Sequence, residues 1–120
     1  MNTEAEILKI GKNIAVVGIS PDPGRPSHQV SRYMRQCGYN IIHVNPMCKE
    51  VFGLVCYPKL SDVPAPVDIV NVFRRSEEAP AIVEDAVKIK AKAVWLQEGV
   101  VSDAARKRAE EAGLLFIEDE

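Results

Sequence analysis

Over residues 16–30 the chain reads VVGISPDPGRPSHQV: an apolar run breaks at Gly18, three prolines follow, and a helical pattern opens near Ser27. The polar groups here suit an anion. Gly18 lets the main chain approach a ligand closely, Ser20 and Ser27 bring hydroxyls, Arg25 brings a guanidinium fork, and the start of the helix brings unbonded amides. A helix N-terminus attracts an anion by about 0.3 to 1 kcal/mol at an exposed site. With the arginine added, the set suits a diphosphate. The plainer alternative is a stiff surface turn with a serine cap.

Which phosphate compound would fit is partly decided by what is missing. The dinucleotide fingerprint asks for glycine at relative positions one, three and six, and this loop offers Gly18, Ser20 and Pro23. Pro21, Pro23 and Pro26 also stiffen it by fixing their backbone torsions. After the second apolar run, where an acid would grip the adenosine ribose of NAD, stand Asn45 and Pro46. An ordinary NAD site is therefore disfavoured. Lys49, a little further on, is a point charge within reach of an adenosine phosphate. Arg74 and Arg75 follow the third run, and Gln97, Glu98 and Gly99 follow the fourth, where Gly99 permits an uncommon torsion.

Candidates for catalysis or metal binding are weak. His43 lies inside an apolar run and reads as a core or edge residue, and Trp95 reads as core. His28, in the first turn of the helix, has no dependable orienting partner of the kind a general base needs. Cys37, Cys48 and Cys56 are 11 and 8 residues apart, with no C-x-x-C pair, and read as packed free thiols rather than a zinc site. Cys48, in the loop after Pro46, is the one to watch.

Five valine- and isoleucine-rich runs must position these residues: NIAVVGIS (13–20), NIIHVN (40–45), VDIVNVF (67–73), KAVWLQ (92–97) and LLFI (114–117). They largely lack polar alternation, as strands covered on both faces do. Helical patterns lie between them. One spans 27–37, with Val30, Tyr33, Met34 and Cys37 on one face and Gly38 as its stop. Another begins at an N-cap Ser76 and buries Ala79, Ile82, Val83, Ala86 and Val87. A third runs from Ser102 to Ala112 and stops at Gly113. A short leading helix is expected over 3–10. Residues 47–66 read as a loop-rich crossover with a helical turn near 61–63. Alternating strands and helices mean a parallel sheet with right-handed crossovers. The expectation is an α/β, Rossmann-like three-layer fold with a five-stranded parallel sheet in the order 3-2-1-4-5. Its strand-end loops converge on one cleft.

The totals fit one domain over 1–120, with 47% apolar residues and a formal net charge of −2. That charge gives no global pull toward nucleic acid or an anionic membrane. No apolar run approaches the length of a membrane span, and the first residues lack the basic charge of a signal peptide. A cytoplasmic protein, monomeric or homodimeric, is expected.

Six segments, VVGISPDPGRPS, VNP, GLVCYPKL, PVDIVNVFR, AVWLQEGV and AGLLFIED, occur in that order. Together they resemble the small single-domain coenzyme A (CoA)-binding proteins, which are similar to the nucleotide-binding domain of the succinyl-CoA synthetase alpha subunit. The resemblance spans nearly all of residues 8–119. It implies that CoA lies along the strand-end cleft, with Gly18, Ser20, Arg25 and Ser27 lining the phosphate loop. Asn45, Pro46 and Lys49 would sit by the adenosine, Phe73 and Arg74 beside the pantetheine or diphosphate, and Gln97 and Gly99 at the fourth strand. Family members commonly continue into a cysteine-containing tail, whereas this sequence ends on Glu118, Asp119 and Glu120. The synthetase itself works through a phosphorylated histidine in a second domain. The leading expectation is therefore non-catalytic binding of CoA or an acyl-CoA. The alternatives are an enzyme or enzyme subunit moving an acyl group on CoA, and an interaction domain with another nucleotide ligand or none.

Overall fold

The structure, a computed structural model, describes residues 9–18, 24–46, 49–51, 54–64 and 66–118. In chain order the strands are β1 (Asn13–Val17), β2 (Asn40–Val44), β3 (Glu50–Val51), β4 (Leu54–Tyr57), β5 (Ile69–Val72), β6 (Ala93–Leu96) and β7 (Leu115–Ile117). The helices are α1 (Pro26–Gln36), α2 (Ala79–Lys88) and α3 (Asp103–Glu111). One sheet runs in the order β3-β4-β2-β1-β5-β6-β7. All its pairings are parallel except β3 with β4.

The expected Rossmann-like, three-layer α/β fold is the one the chain adopts. It has six parallel strands in the order 3-2-1-4-5-6 rather than five. The additional strand is β4, inside the stretch read as loop-rich. It joins the edge of β2, with His43 opposite Cys56 and Val44 opposite Tyr57. The run at 67–73 consequently sits beside β1, with Val16 opposite Asn71, instead of at the edge. The short helical turn is present as a 3-10 turn over Leu60–Asp62. All but the last two positions of the expected leading helix fall outside the described residues.

The central strands are buried throughout from Ile14 to Val17, Ile69 to Val72 and Ala93 to Leu96, which explains their almost wholly apolar character, with Asn71 the one polar residue among them. Alternation sends successive side chains to opposite faces. Ala15, Val17, Val70, Val72, Val94 and Leu96 meet Val83 and Ala86 of α2 and Ala105 and Ala109 of α3. Ile14, Val16, Ile69, Ala93 and Trp95 lie on the other side with Met34 of α1.

The helices differ from expectation in two details. The buried side of α1 carries Ser27, His28, Ser31 and Met34, while Tyr33 and Cys37 face solvent. Two serines let the helix lie close to the sheet, and Ser31 meets its own needs by donating from Oγ to the Ser27 carbonyl at 2.6 Å. Ser76 does not cap α2. It opens a 3-10 turn over Ser76–Glu78, and its hydroxyl accepts from the Val101 amide at 3.0 Å, tying together the loops after β5 and β6. Ser102 caps α3 as expected, accepting from the Ala105 amide at 3.1 Å.

Each helix ends in paired 6→1 and 5→2 bonds. At α1 the Tyr39 amide reaches Met34 and Gly38 reaches Arg35; at α3 Leu114 reaches Ala109 and Gly113 reaches Glu110. At α2 the left-handed position falls on Lys90, at φ 62°, with Ala91 donating to Ala86 and Lys90 to Val87. Lysine is strained there where glycine is not. Lys90→Gly is therefore expected to raise stability by about 0.5–1 kcal/mol, read as a higher urea midpoint at constant slope. An unchanged or lower midpoint would count against strain at this turn.

Candidate functional site

The winding reverses between β1 and β5, and a cleft of about 890 Å³ opens at their carboxyl ends. This is the position at which open α/β sheets take ligands. Gly18, the residue after β1, forms its floor. Its amide donates to the Val44 carbonyl at 2.8 Å, and its φ is 91°. A Cβ added there would lie 2.9 Å from the Phe73 carbonyl oxygen and 2.7 Å from Arg74 Cδ. Gly18 and the end of β5 thus approach more closely than a side chain at Gly18 would permit.

The first turn of α1 forms one wall. Arg25 stands at the N-cap with an extended backbone, makes no side-chain cap bond, and is followed by Pro26; no acid lies in the first turn. Arg25, Ser27 and Val30 line the cleft on this side, Arg25 exposed and Ser27 buried. The positive end of the helix dipole therefore opens onto the cleft without a carboxylate of its own.

Phe73 and Arg74 come from the end of β5. The Phe73 amide donates to Val17 at 2.9 Å, holding it against the end of β1. On the far side, Gln97 and Gly99 follow β6, where the Val100 amide closes a turn onto the Gln97 carbonyl at 2.9 Å. Gln97 is buried and donates from Nε2 to Asn71 Oδ1, one strand over in the sheet. Asn45, after β2, is also buried; its amide donates to Tyr57, so β4 fixes its position.

Gly18, Arg25, Ser27, Asn45, Phe73, Arg74, Gln97 and Gly99 thus share one cleft. Pro46 lines a smaller cavity of about 160 Å³ on the α2 side of the sheet. Lys49 is exposed and belongs to the wall of neither cavity; its main-chain carbonyl is engaged by the Cys56 amide. Ser20 lies outside the described residues, as does Cys48. Sequence reasoning named Glu98 after the fourth run without assigning it to the cleft, and did not single out Val100 for the cleft, nor Lys59, Glu78 and Asp85 for the smaller cavity. Lys59 stands in the quoted GLVCYPKL segment, which was the available signal.

Neither histidine lines the cleft. His43 is buried in β2, and burial, with the nearby positive charges of Arg35 and His28 behind it, lowers its pKa from 6.5 to about 4. Among the described residues no three His, Cys, Asp or Glu side chains group as metal ligands. Among the described residues no helix is long and apolar enough to cross a membrane.

Residues 12–120 match the family model described as the CoA binding domain. The chain belongs to the CoA-binding domain family. A Bacillus subtilis (strain 168) protein, YneT, is 44% identical over 114 residues, covering 95% of this chain and 84% of its own. The solved structure of a hypothetical protein from Pyrococcus horikoshii OT3 superposes with a TM-score of 0.93 at 37% identity, over 99% of this chain and 86% of that one. This CoA-binding domain is also similar to part of a larger enzyme. The dinucleotide-forming acetyl-coenzyme A synthetase 1 of Ca. Korarchaeum cryptofilum, solved with phosphate and ADP, gives a TM-score of 0.80 at 28% identity, over 97% of this chain and 27% of the synthetase chain.

Proposed function

We propose that this chain is a single CoA-binding domain that holds CoA or an acyl-CoA in the strand-end cleft without breaking the thioester. The observation that carries this reading is the acid-free first turn of α1, with Arg25 and Ser27, facing Gly18 and Arg74 across a cleft of about 890 Å³. Main-chain amides, a helix dipole and the Arg25 guanidinium would meet a diphosphate there, with Arg74 in the facing wall. Pantetheine would then extend toward Phe73, Gln97 and Gly99, and the adenosine toward Asn45 and Pro46. Lys59, not Lys49, is the lysine in the wall of the smaller cavity, and we assign it the adenosine phosphate. The same reading makes the protein a cytoplasmic one that uses its cations locally rather than on nucleic acid or membrane.

Calorimetry with CoA, acetyl-CoA, NAD and ATP tests the reading. CoA is expected to bind near micromolar, roughly −8 kcal/mol, and NAD more weakly. Arg25→Ala should weaken CoA about tenfold or more and flatten the salt dependence. Heat from NAD with none from millimolar CoA would remove the proposal. Because the domain is similar to part of a synthetase, acetyl-CoA should also be incubated with the protein and free thiol followed. A constant thiol level supports simple binding, and its release would move the protein to the acyl-transfer class.

A further inference from the structure

Among the described residues, Gly18 and Arg74 belong to the walls of both the large cleft and the smaller cavity. The Arg74 side chain lies over the missing Cβ of Gly18, with Cδ and Cγ 2.7 and 3.2 Å from where that atom would be. It forms the partition between the two spaces. Its guanidinium is turned to Glu78, which lines only the smaller one. Nε and Nη2 both donate to the single oxygen Oε1, at 3.2 and 2.9 Å. The other oxygen, Oε2, takes the Arg75 amide at 3.4 Å and lies 3.5 Å from Arg75 Nε.

We infer that Glu78 is a resident competitor for the ligand's phosphate: it holds Arg74 as a partition between the two cavities, and a phosphate in the cleft takes the guanidinium from it. This inference rests on the CoA reading and adds to it the residue that makes the site demand a phosphate. The pair is suited to exchange. Both side chains are about one-third exposed, at 32% each, so water and a ligand reach them, and a partly exposed ion pair holds its geometry weakly. A diphosphate offers more charge and more acceptor oxygens than one carboxylate, in the planar arrangement that a guanidinium fork matches. The Glu78 pKa is lowered from its ordinary value, chiefly because Arg74 hydrogen-bonds it, so the competitor is charged at neutral pH. An uncharged ligand offers Arg74 nothing in return for Glu78. A ligand with phosphates gains the guanidinium, and movement of the arginine joins the two cavities for a molecule long enough to occupy both.

Glu78→Gln keeps the shape of the side chain and an acceptor for the Arg75 amide while removing the competing charge. It is expected to tighten CoA three- to tenfold, to leave the affinity for phosphate-free pantetheine unchanged, and to have no effect in an Arg74→Ala background. The second measurement is independent of CoA: NMR of the Arg74 Nε–Hε and Glu78 carboxylate signals during titration with inorganic pyrophosphate, where both should move. If wild-type protein binds CoA but Glu78→Gln binds it equally or more weakly, the competition is refuted while the CoA reading stands. If CoA binds to neither protein yet pyrophosphate still separates Arg74 from Glu78, the competition stands and the CoA reading fails. Stationary signals together with absent CoA binding would refute both.

Discussion

Gly18→Ala protein is expected to unfold with about 2–6 kcal/mol less stability and, on the proposed reading of the cleft, to bind CoA far more weakly than wild type. Two costs combine. At φ 91° an alanine sits in backbone space that costs side-chain-bearing residues about 1–3 kcal/mol. Its methyl group would also lie 2.9 Å from the Phe73 carbonyl and 2.7 Å from Arg74 Cδ. The arginine arm can swing away, at the cost of its ion pair with Glu78. The carbonyl cannot move freely, because the Phe73 amide is bonded to Val17 and the Gly18 amide to Val44. Forced separation of β1 from β5 at this point adds the penalty of an overpacked contact, about 1–3 kcal/mol. Gly38→Ala is the matched control. Gly38 has a similar φ of 97°, but an added Cβ meets nothing within 4 Å, so its loss should be the backbone cost alone, about 1–3 kcal/mol. Urea unfolding of the two variants decides the matter: equal losses would mean that close approach at Gly18 contributes nothing.

The second large effect is on acid stability. His43 has a pKa of 6.5 in its unperturbed state and about 4 in the fold, so the unfolded chain takes up a proton at a pH where the folded protein still refuses one. The stability that comes from keeping the ring neutral is fully present above pH 6.5. It is lost as the pH falls from 6.5 toward 4, and below 4 both states carry the proton and no more is lost. At about 1.36 kcal/mol for each tenfold change in proton affinity, the whole window is worth about 3 kcal/mol. Denaturant midpoints at pH 7, 6, 5 and 4.5 should fall steeply for wild type and much less for His43→Leu. The comparison is of slopes, so a general loss from repacking the core does not obscure it. Parallel slopes for the two proteins would assign the acid sensitivity to other groups.

The amount of this molecule legible in its sequence varied with how local the cause was. Long apolar runs identified β1, β2, β5, β6 and β7, because strands covered on both faces need apolar residues at nearly every position. Gly38 and Gly113 marked two helix ends because the left-handed turn there is a one-residue requirement. The same requirement at Lys90 carried no glycine and left no signal. β4 was hidden for a different reason: it has four residues among prolines, with Val55 64% exposed, and it becomes a strand only because the edge of β2 supplies its partners. Ser76 illustrates the same limit, since a serine before acidic residues reads as a cap until a distant amide, that of Val101, claims its hydroxyl.

For the cleft, the sequence alone determined which chemistry was on offer: a glycine, an arginine and a serine at a stiffened strand-to-helix turn, and polar residues directly after three further strands. Eight of the eleven residues named from it line one cavity, because strand order brings strand ends together whatever their side chains do. Tertiary structure alone decided that Lys59 stands at the smaller cavity while Lys49 does not, that the serine side of α1 turns inward, and that the Arg74 side chain lies over Gly18. Each of these depends on the register of one element against another. Burial and distance between segments far apart in the chain set that register, and no local spacing encodes it.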